Sequence, residues 1–438
     1  MSWLDDLNPV QREAVEHFEG PLLVLAGAGS GKTRVLTYRI AYLIEHYGVD
    51  PARILAVTFT NKAAGEMRAR VRALLGGEPA GLWMGTFHAL GARLLRRYAT
   101  RLGASPNFTI LDADDAERVV KRVMEPLRLP RRFRPEAVAR AISEAKNRLV
   151  GPDAFAEIAL DPFHRAVAEV YPRYLAACAE SNAFDFDDLL VKPVELLERH
   201  RDVLHALQER FRFVLVDEYQ DTNHAQYRWL ELLCRAHGNL CVVGDDDQSI
   251  YGWRGADLRN ILDFERAFPN ARVLRLEQNY RSTQTILAVA NAVIAENVRR
   301  KGKRLFTENP PGEPVRLVRA WDEEDEAAWV VEEIARRIAE EGRAHRDFAV
   351  LYRTNAQSRA LEEALRRAGM PYRVYGGIRF YERREIRDVL AYLRLLANPK
   401  DAAAFLRVVN TPRRGIGDAS LTALASWAAA QGVPLLEA

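Results

Sequence analysis

Leu22-Leu23-Val24-Leu25-Ala26-Gly27-Ala28-Gly29-Ser30-Gly31-Lys32-Thr33 is the stretch that decides the fold. Its apolar opening is short enough to be a strand buried on both faces, and it runs into a glycine-rich turn that closes on Lys-Thr. Beyond the turn, Val35, Tyr38, Ile40, Leu43 and Ile44 recur at helical spacing and predict a helix over Thr33–His46. Strand, glycine loop and helix N-terminus, in that order, are the context a phosphate-binding loop requires. Glycines let backbone N–H groups curl round an anion, and the positive end of the helix adds to the attraction. Ala26, Gly27, Ala28, Gly29, Ser30 and Gly31 then form the cradle. Lys32 reaches the β- and γ-phosphates, and the Thr33 hydroxyl ligates Mg²⁺. The generic pattern begins with Gly where this chain has Ala26, a position at the strand's end that tolerates a methyl group. The competing reading is a glycine-rich turn that merely precedes Lys-Thr, and the strand–loop–helix context weighs against it.

Outward from this stretch, strands and helices alternate. Ile54–Phe59 reads as a strand and Ala63–Leu75 as a helix, a βαβ rhythm that predicts a parallel sheet covered by helices on both faces. From about Ala89 to His205 the strand signal fades into Arg-rich helical sequence, which reads as an insertion. Strands resume at Phe213–Val216, Leu240–Val243 and Arg272–Leu276. A second alternating block follows: strands at Val315–Arg319, Phe348–Tyr352 and Tyr372–Val374, with helices near Glu323–Glu341 and Gln357–Ala368. Lys301–Pro314 reads as a loop, and from about Arg383 the pattern is helical again. The expected fold class is α/β. Its expected division is 1–88 and 206–276 for a first domain, 89–205 for a helical insertion, 277–380 for a second domain, and 381–438 for the start of a further helical one.

The bulk properties narrow the function by exclusion. The 438 residues carry a net charge of only +3, so any nucleic-acid surface must be a local groove. Three cysteines, Cys178, Cys234 and Cys241, have neither zinc-site nor disulfide spacing, and a reducing cytoplasm is the expected location. No stretch is long and apolar enough to span a bilayer, so no membrane partner is expected. The ending at Leu435-Leu436-Glu437-Ala438 has no stop or cap signal, and the expectation is either a fragment of a longer protein or a remainder supplied separately.

A phosphate loop needs an acidic partner at a neighbouring strand's end. Phe213-Val214-Leu215-Val216-Asp217-Glu218 supplies two carboxylates: Asp217 to hold Mg²⁺ through water, and Glu218 to polarise the attacking water as general base. Three further segments sit at strand ends, where parallel sheets bind ligands. They are Thr58-Phe59-Thr60-Asn61-Lys62-Ala63-Ala64, Gly85-Thr86-Phe87-His88 and Gly244–Arg254. Aromatics there can stack bases, at about 1–3 kcal/mol each. For Phe59 and Phe87 taken alone, a core position is the better reading. Tyr251 and Trp253, set among Gly252 and Arg254 in a turn, are harder to explain as core.

Together these segments resemble the UvrD/PcrA/Rep family of superfamily-one DNA helicases, over essentially the whole chain. The resemblance implies two RecA-like P-loop motor domains with parallel sheets, plus mostly helical accessory insertions. It implies that Gln11, in Leu7-Asn8-Pro9-Val10-Gln11, hydrogen-bonds adenine and that Arg34 lies near the nucleotide. Tyr280, in Gln278-Asn279-Tyr280-Arg281-Ser282-Thr283, stacks on the base, and Arg281 acts as an arginine finger in cis. Gln248 senses the γ-phosphate while Tyr251, Trp253 and Arg254 belong to the DNA pocket. Thr58, Phe59, Asn61, Thr86 and His88 line the single-strand path, and Phe186, within Asp185-Phe186-Asp187-Asp188, packs against a base. Arg353 and Asn355, in Leu351–Gln357, come from a DNA-facing loop of the second motor domain. Tyr375–Phe380 and Asn410–Gly417 are similar to the passage into a second accessory domain. The implied activity is ATP-dependent 3′–5′ movement along single-stranded DNA, with Mg²⁺, at single-strand/duplex junctions, in repair or replication restart, with repair proteins as partners. Two further family motifs are not found before Ala438, so this polypeptide alone is expected to bind ATP and hydrolyse it poorly. The alternatives are a non-catalytic, nucleotide-gated DNA-binding fragment and the motor portion of a helicase–nuclease. A P-loop kinase or GTPase leaves Gln248–Arg254 and Tyr280-Arg281 unexplained.

Overall fold

The computed structural model describes residues 2–298, 300–375 and 384–438. In chain order its strands are β1 (Leu22–Ala26), β2 (Ile54–Thr58), β3 (Trp83–Thr86), β4 (Thr109–Ile110), β5 (Ala183–Phe184), β6 (Phe213–Val216), β7 (Leu240–Gly244) and β8 (Arg272–Leu276). Six of them form one sheet in the order β3-β2-β6-β7-β1-β8, and every neighbouring pair is parallel. Parallel strands need crossover connections, and those crossovers lay helices over both faces, which explains why the strands read as continuous apolar runs. Alternate residues of β1 feed opposite cores. Leu23 and Leu25 join Leu55, Val57, Val214 and Val216 on one face, and Leu22, Val24 and Ala26 join Ile54, Ala56 and Leu215 on the other. Only the edge strand β8 alternates with solvent, keeping Leu274 and Leu276 inside and Arg272 and Arg275 out.

The sequence expectations for this sheet hold closely. The helix after the glycine loop runs Lys32–Glu45 and the next Asn61–Leu75, where Thr60 caps the N-terminus by accepting from the Ala63 N–H. Between β3 and β6 the chain is helical, as its composition suggested, apart from the two-residue β4–β5 ladder. A ladder that short lies below the reach of any periodicity argument.

Two compact units are present: residues up to Glu313 together with Arg394–Ala438, and Pro314–Leu393. Within the first, the C-terminal stretch is tied to the insertion. Arg394 pairs with Asp115 at 2.7 Å, and Asn398 donates to the Thr109 hydroxyl at 3.0 Å and to the Ser181 carbonyl at 3.1 Å. Within the second, the helix Glu323–Glu341 begins at Asp322, whose carboxylate accepts from the Glu324 and Asp325 N–H groups, and four acids fill its first turn.

The strands expected in the second unit are where the structure differs from the sequence pattern. Val315–Arg319, Phe348–Tyr352 and Tyr372–Val374, expected as strands, carry no ladder hydrogen bonds among the described residues. Their side chains are correspondingly exposed. Leu317 is 99% exposed and Leu351 94% exposed, so these segments lack the two-sided burial that holds a parallel strand in place. Residues 376–380, part of the segment similar to an accessory-domain entrance, lie outside the described residues.

The insertion holds one buried ionic cluster. The Lys146 ammonium lies 2.6 Å from Asp185 and 2.9 Å from Asp188, and the Tyr174 hydroxyl donates to Asp185 at 2.6 Å. Burial alone would raise the Asp185 carboxyl, but Lys146 outweighs it and holds the group below the ordinary carboxylate range. Reciprocal backbone bonds, Asp185 N–H to Asp188 and Asp188 N–H to Asp185, close the turn. Replacing Lys146 with Met should cost about 3–5 kcal/mol, because two buried carboxylates lose their counter-ion. Urea denaturation checks this, and a loss below about 1 kcal/mol, the value of a surface pair, would contradict it.

Candidate nucleotide site and aromatic face

The glycine loop leaves β1 at its carboxyl end, beside β7 and β8. Gly29 and Gly31 have φ of 67° and 90°, left-handed values that explain why glycine recurs there. Ser30 folds the loop inward by donating to the Gly27 carbonyl at 2.7 Å. The 14-residue helix that follows has Gly31 as its cap, with no side-chain cap bond, so its first N–H groups are left for an anion.

The Lys32 ammonium points at the end of β6. It lies 3.5 Å from Glu218, is buried, and has no hydrogen-bond partner among the described residues. Asp217 sits beside it, with a hydrogen bond from the Thr33 hydroxyl. Burial, with Glu218 adjacent, pushes the Asp217 carboxyl up to about 7, against the opposing pull of Lys32. Glu218 adopts φ 51° and ψ 43°, a left-handed conformation that costs a non-glycine residue strain. A hydroxyl and a buried carboxylate side by side form the all-oxygen donor set that suits a hard cation such as Mg²⁺.

Two residues given no role in the sequence reading hold this site together. Gln220, 1% exposed, donates to Glu218 at 2.9 Å, and its carbonyl oxygen accepts from the Asp245 N–H at 2.9 Å. It bridges the ends of β6 and β7 at a point where a Cβ on Gly244 would lie 2.8 Å from the Gln220 oxygen. Asn279, 2% exposed, donates to the Ala28 carbonyl at 2.6 Å and accepts from the Arg281 and Ser282 N–H groups at 2.9 and 2.7 Å. The Tyr280 N–H bonds the Gly29 carbonyl at 3.0 Å. The segment carrying Tyr280 and Arg281 is thus pinned on the glycine loop. Both Gln220 and Asn279 lie inside motif-like segments, but only the folded backbone shows which atoms they join.

Gln11 is fully buried. Its nitrogen donates to the Ser30 carbonyl at 2.9 Å and its oxygen accepts from the Asn8 N–H at 3.1 Å, so both ends of its amide are engaged. Asn8 reaches the Tyr280 hydroxyl at 2.8 Å, which places Asn8 and the half-exposed Tyr280 on the face a base would use. Arg34 is exposed, and its guanidinium makes a long 3.4 Å bond to the Asp6 carbonyl. Arg281 is exposed with its stem against Gly29. Gln248 donates to the Asp245 carboxylate.

An aromatic face continues from the same sheet edge. Phe59, just past β2, has its ring centroid 5.1 Å from Tyr251, and Tyr251 lies 6.4 Å from Trp253, which is 67% exposed. Phe186, also largely exposed, lies 5.6 Å from His88, whose imidazole burial holds below its ordinary pKa and therefore neutral near pH 7. The Lys146 cluster underlies Phe186 and fixes the turn that presents it. Asn61 is exposed. Phe87 is core, against Trp229. Burial removes two expected contacts from the surface. Thr58 is 1% exposed because it is the last residue of β2 and faces inward, and Thr86 is spent capping the helix Phe87–Tyr98 by accepting from Ala89. The Arg254 side chain lies outside the described residues. Arg353 and Asn355 are exposed in the second unit, where Gln357 accepts from the Arg353 and Thr354 N–H groups.

A parallel sheet with a phosphate loop, an acidic strand end and an aromatic edge defines a P-loop nucleotide-dependent class of protein. Residues 7–269 match the UvrD/REP helicase N-terminal domain, and residues 274–436 match the UvrD-like helicase C-terminal domain. The chain is 48% identical over 436 residues to an ATP-dependent DNA helicase PcrA of Bacillus subtilis, covering 99% of this chain and 59% of that protein. It is 50% identical over 434 residues to the PcrA of Leuconostoc citreum, covering 99% and 58%. A Staphylococcus aureus PcrA is 48% identical, covering 99% and 60%. The chain belongs to the UvrD/REP helicase family, and it spans about three-fifths of the length of these relatives.

Asn279→Ala should weaken nucleoside triphosphate binding about tenfold, since it frees the Ala28 carbonyl and the Arg281 N–H together. Titration with a fluorescent nucleotide checks this, and an unchanged affinity would mean the glycine loop holds itself.

Proposed function

We propose that this chain carries the ATP-binding and single-strand-gripping machinery of an ATP-dependent DNA helicase that moves 3′ to 5′ along single-stranded DNA. The observation that carries the reading is the buried Lys32 ammonium, 3.5 Å from Glu218 at the mouth of the glycine loop, on the sheet edge that also bears Phe59, Tyr251 and Trp253. In this reading Ala26–Gly31 and Lys32 hold the phosphates, and Thr33 and Asp217 hold Mg²⁺, which neutralises phosphate charge when bound. Glu218 takes the proton of the attacking water, Gln248 senses the γ-phosphate and Arg281 stabilises the charge that develops there. Asn8, Tyr280 and Gln11 frame the base, with Arg34 nearby. Phe59, Tyr251, Trp253 and Phe186 stack nucleobases, with Asn61, His88, Arg254, Arg353 and Asn355 as polar contacts. The physiological setting is repair or replication restart at single-strand/duplex junctions in the cytoplasm. Residues 1–88 with 206–276 form the first motor domain, and 277–380 belong to a second.

A second reading, a nucleotide-gated DNA-binding module without turnover, is favoured by one observation: the expected strands of the second unit carry no ladder pairing among the described residues. Steady-state ATPase with and without oligo(dT) separates the two. Strong stimulation supports the motor, and nucleotide-dependent DNA binding with negligible turnover supports the module. Lys32→Ala should remove whatever hydrolysis the protein shows, and retained turnover would refute the phosphate-clamp assignment. Trp253→Ala should weaken oligo(dT) binding about tenfold while leaving nucleotide affinity unchanged. Unaltered DNA affinity would take Trp253 out of the DNA path.

A further inference from the structure

The turn Asp245-Asp246-Asp247-Gln248 brings three carboxylates within 4.8 Å of one another. Such a cluster normally repels itself or collects a metal ion. Here its cation is a side chain of the chain itself. The Lys303 ammonium, 3% exposed, lies 2.6 Å from Asp245, 2.6 Å from Asp246 and 2.8 Å from Asp247. Burial alone would lower the Lys303 pKa, but the three carboxylates outweigh it and raise it, so the ammonium stays charged. Its neighbours reinforce the contact. Arg300 pairs with Asp247 at 2.7 Å, the Lys301 N–H donates to Asp246 at 2.7 Å, and the Lys301 side chain pairs with Glu265.

Asp245 is the hinge of the arrangement. One carboxylate oxygen takes Lys303 and the Asp247 N–H, and the other holds the Gln248 side-chain amide. Its backbone N–H is fixed by Gln220, which also touches Glu218. The same short segment runs back to the phosphate loop. A Cβ on Gly27 would collide with Leu305, and Phe306 exchanges backbone bonds with Glu277 and Asn279. Residues 300–306 therefore touch the γ-phosphate-sensing turn, the glycine loop and the arginine-bearing segment at once.

We propose that Lys303 is a positioning residue for nucleotide recognition: its ammonium holds the Asp245–Asp247 carboxylates together, so that Asp245 sets the Gln248 amide for the γ-phosphate. Without that charge the three carboxylates separate or take up protons, and Gln248 loses its anchor. The inference rests on Gln248 as the γ-phosphate sensor.

The test measures affinity for ADP and for the β,γ-imido analogue of ATP, each with Mg²⁺, in the wild type and in Gln248→Ala, Lys303→Met, Lys303→Gln and Lys303→Arg. Gln248→Ala should reduce the preference for the analogue over ADP by about tenfold, the value of a hydrogen bond to a charged group. Lys303→Met and Lys303→Gln should reduce it comparably with ADP affinity kept, Lys303→Arg should recover at least part of it, and adding Gln248→Ala to Lys303→Gln should cost nothing further. If Gln248→Ala loses the preference while Lys303→Gln keeps it, Lys303 has no positioning role and the sensor reading stands. If Gln248→Ala itself keeps the preference, the sensor reading and the proposal both fall. ADP binding reports whether each variant has folded. Should Lys303→Met fail to fold, the Gln and Arg variants decide. An Arg variant no better than the Gln variant would mean the site needs the shape of lysine and not its charge, which also overturns the proposal.

Discussion

Everything at this sheet edge depends on holding a buried ammonium next to carboxylates without letting it be neutralised by them. Lys32 lies 3.5 Å from Glu218, close enough to attract and too far for a hydrogen bond. A tight pair would quench both groups, whereas this spacing keeps the lysine free to bond an incoming phosphate and the glutamate free to accept a proton. The spacing is produced by backbone. β1 and β6 are separated by β7 in the sheet, the glycine loop leads from β1 to Lys32, and Glu218 takes up a left-handed backbone conformation just past β6. Gln220 then fixes that carboxylate from the side.

The same turn of chain links the phosphate end of the site to the aromatic end. Gln220 joins Glu218 to Asp245, Asp245 joins Gln248, and three residues further on Tyr251 stacks beside Phe59. Asn223, the cap of the helix after β6, accepts nothing from this path but donates to Asn147, which in turn donates to Asp187 beside Phe186. Short, part-buried hydrogen bonds thus join Glu218 to Gln248 along one path and Asn223 to Asp187 along another.

Much of this was legible in the sequence because it depends on local pattern. The apolar run Leu22–Ala26 is a buried strand, the glycines at 29 and 31 sit at positive φ, and Asp217-Glu218 closes a strand of matching character. What was not legible depends on contacts distant in the chain. Nothing local distinguishes Asn279, which clamps a carbonyl 251 residues away, from any polar residue in a loop. Lys303 reads as one charge in a charged loop until folding sets it against Asp245–Asp247. Thr58 and Thr86 lie at strand ends as expected, but which way a strand's last side chain points is decided by the neighbouring layer. The strands expected after Val315 show the limit of pattern from the other side, since alternation and β-branched residues propose a strand while pairing and burial decide whether one forms.

The proposed function requires nucleotide binding and single-stranded DNA binding to be coupled in this protein. It is tested most directly by measuring oligo(dT) affinity in the presence of ADP and of the imido analogue of ATP, and the affinity for each nucleotide with and without oligo(dT). The two nucleotides are expected to give different DNA affinities, and DNA to shift their relative binding by the same factor, as linkage requires. Equal DNA affinity in both nucleotide states, with both ligands bound, would contradict it.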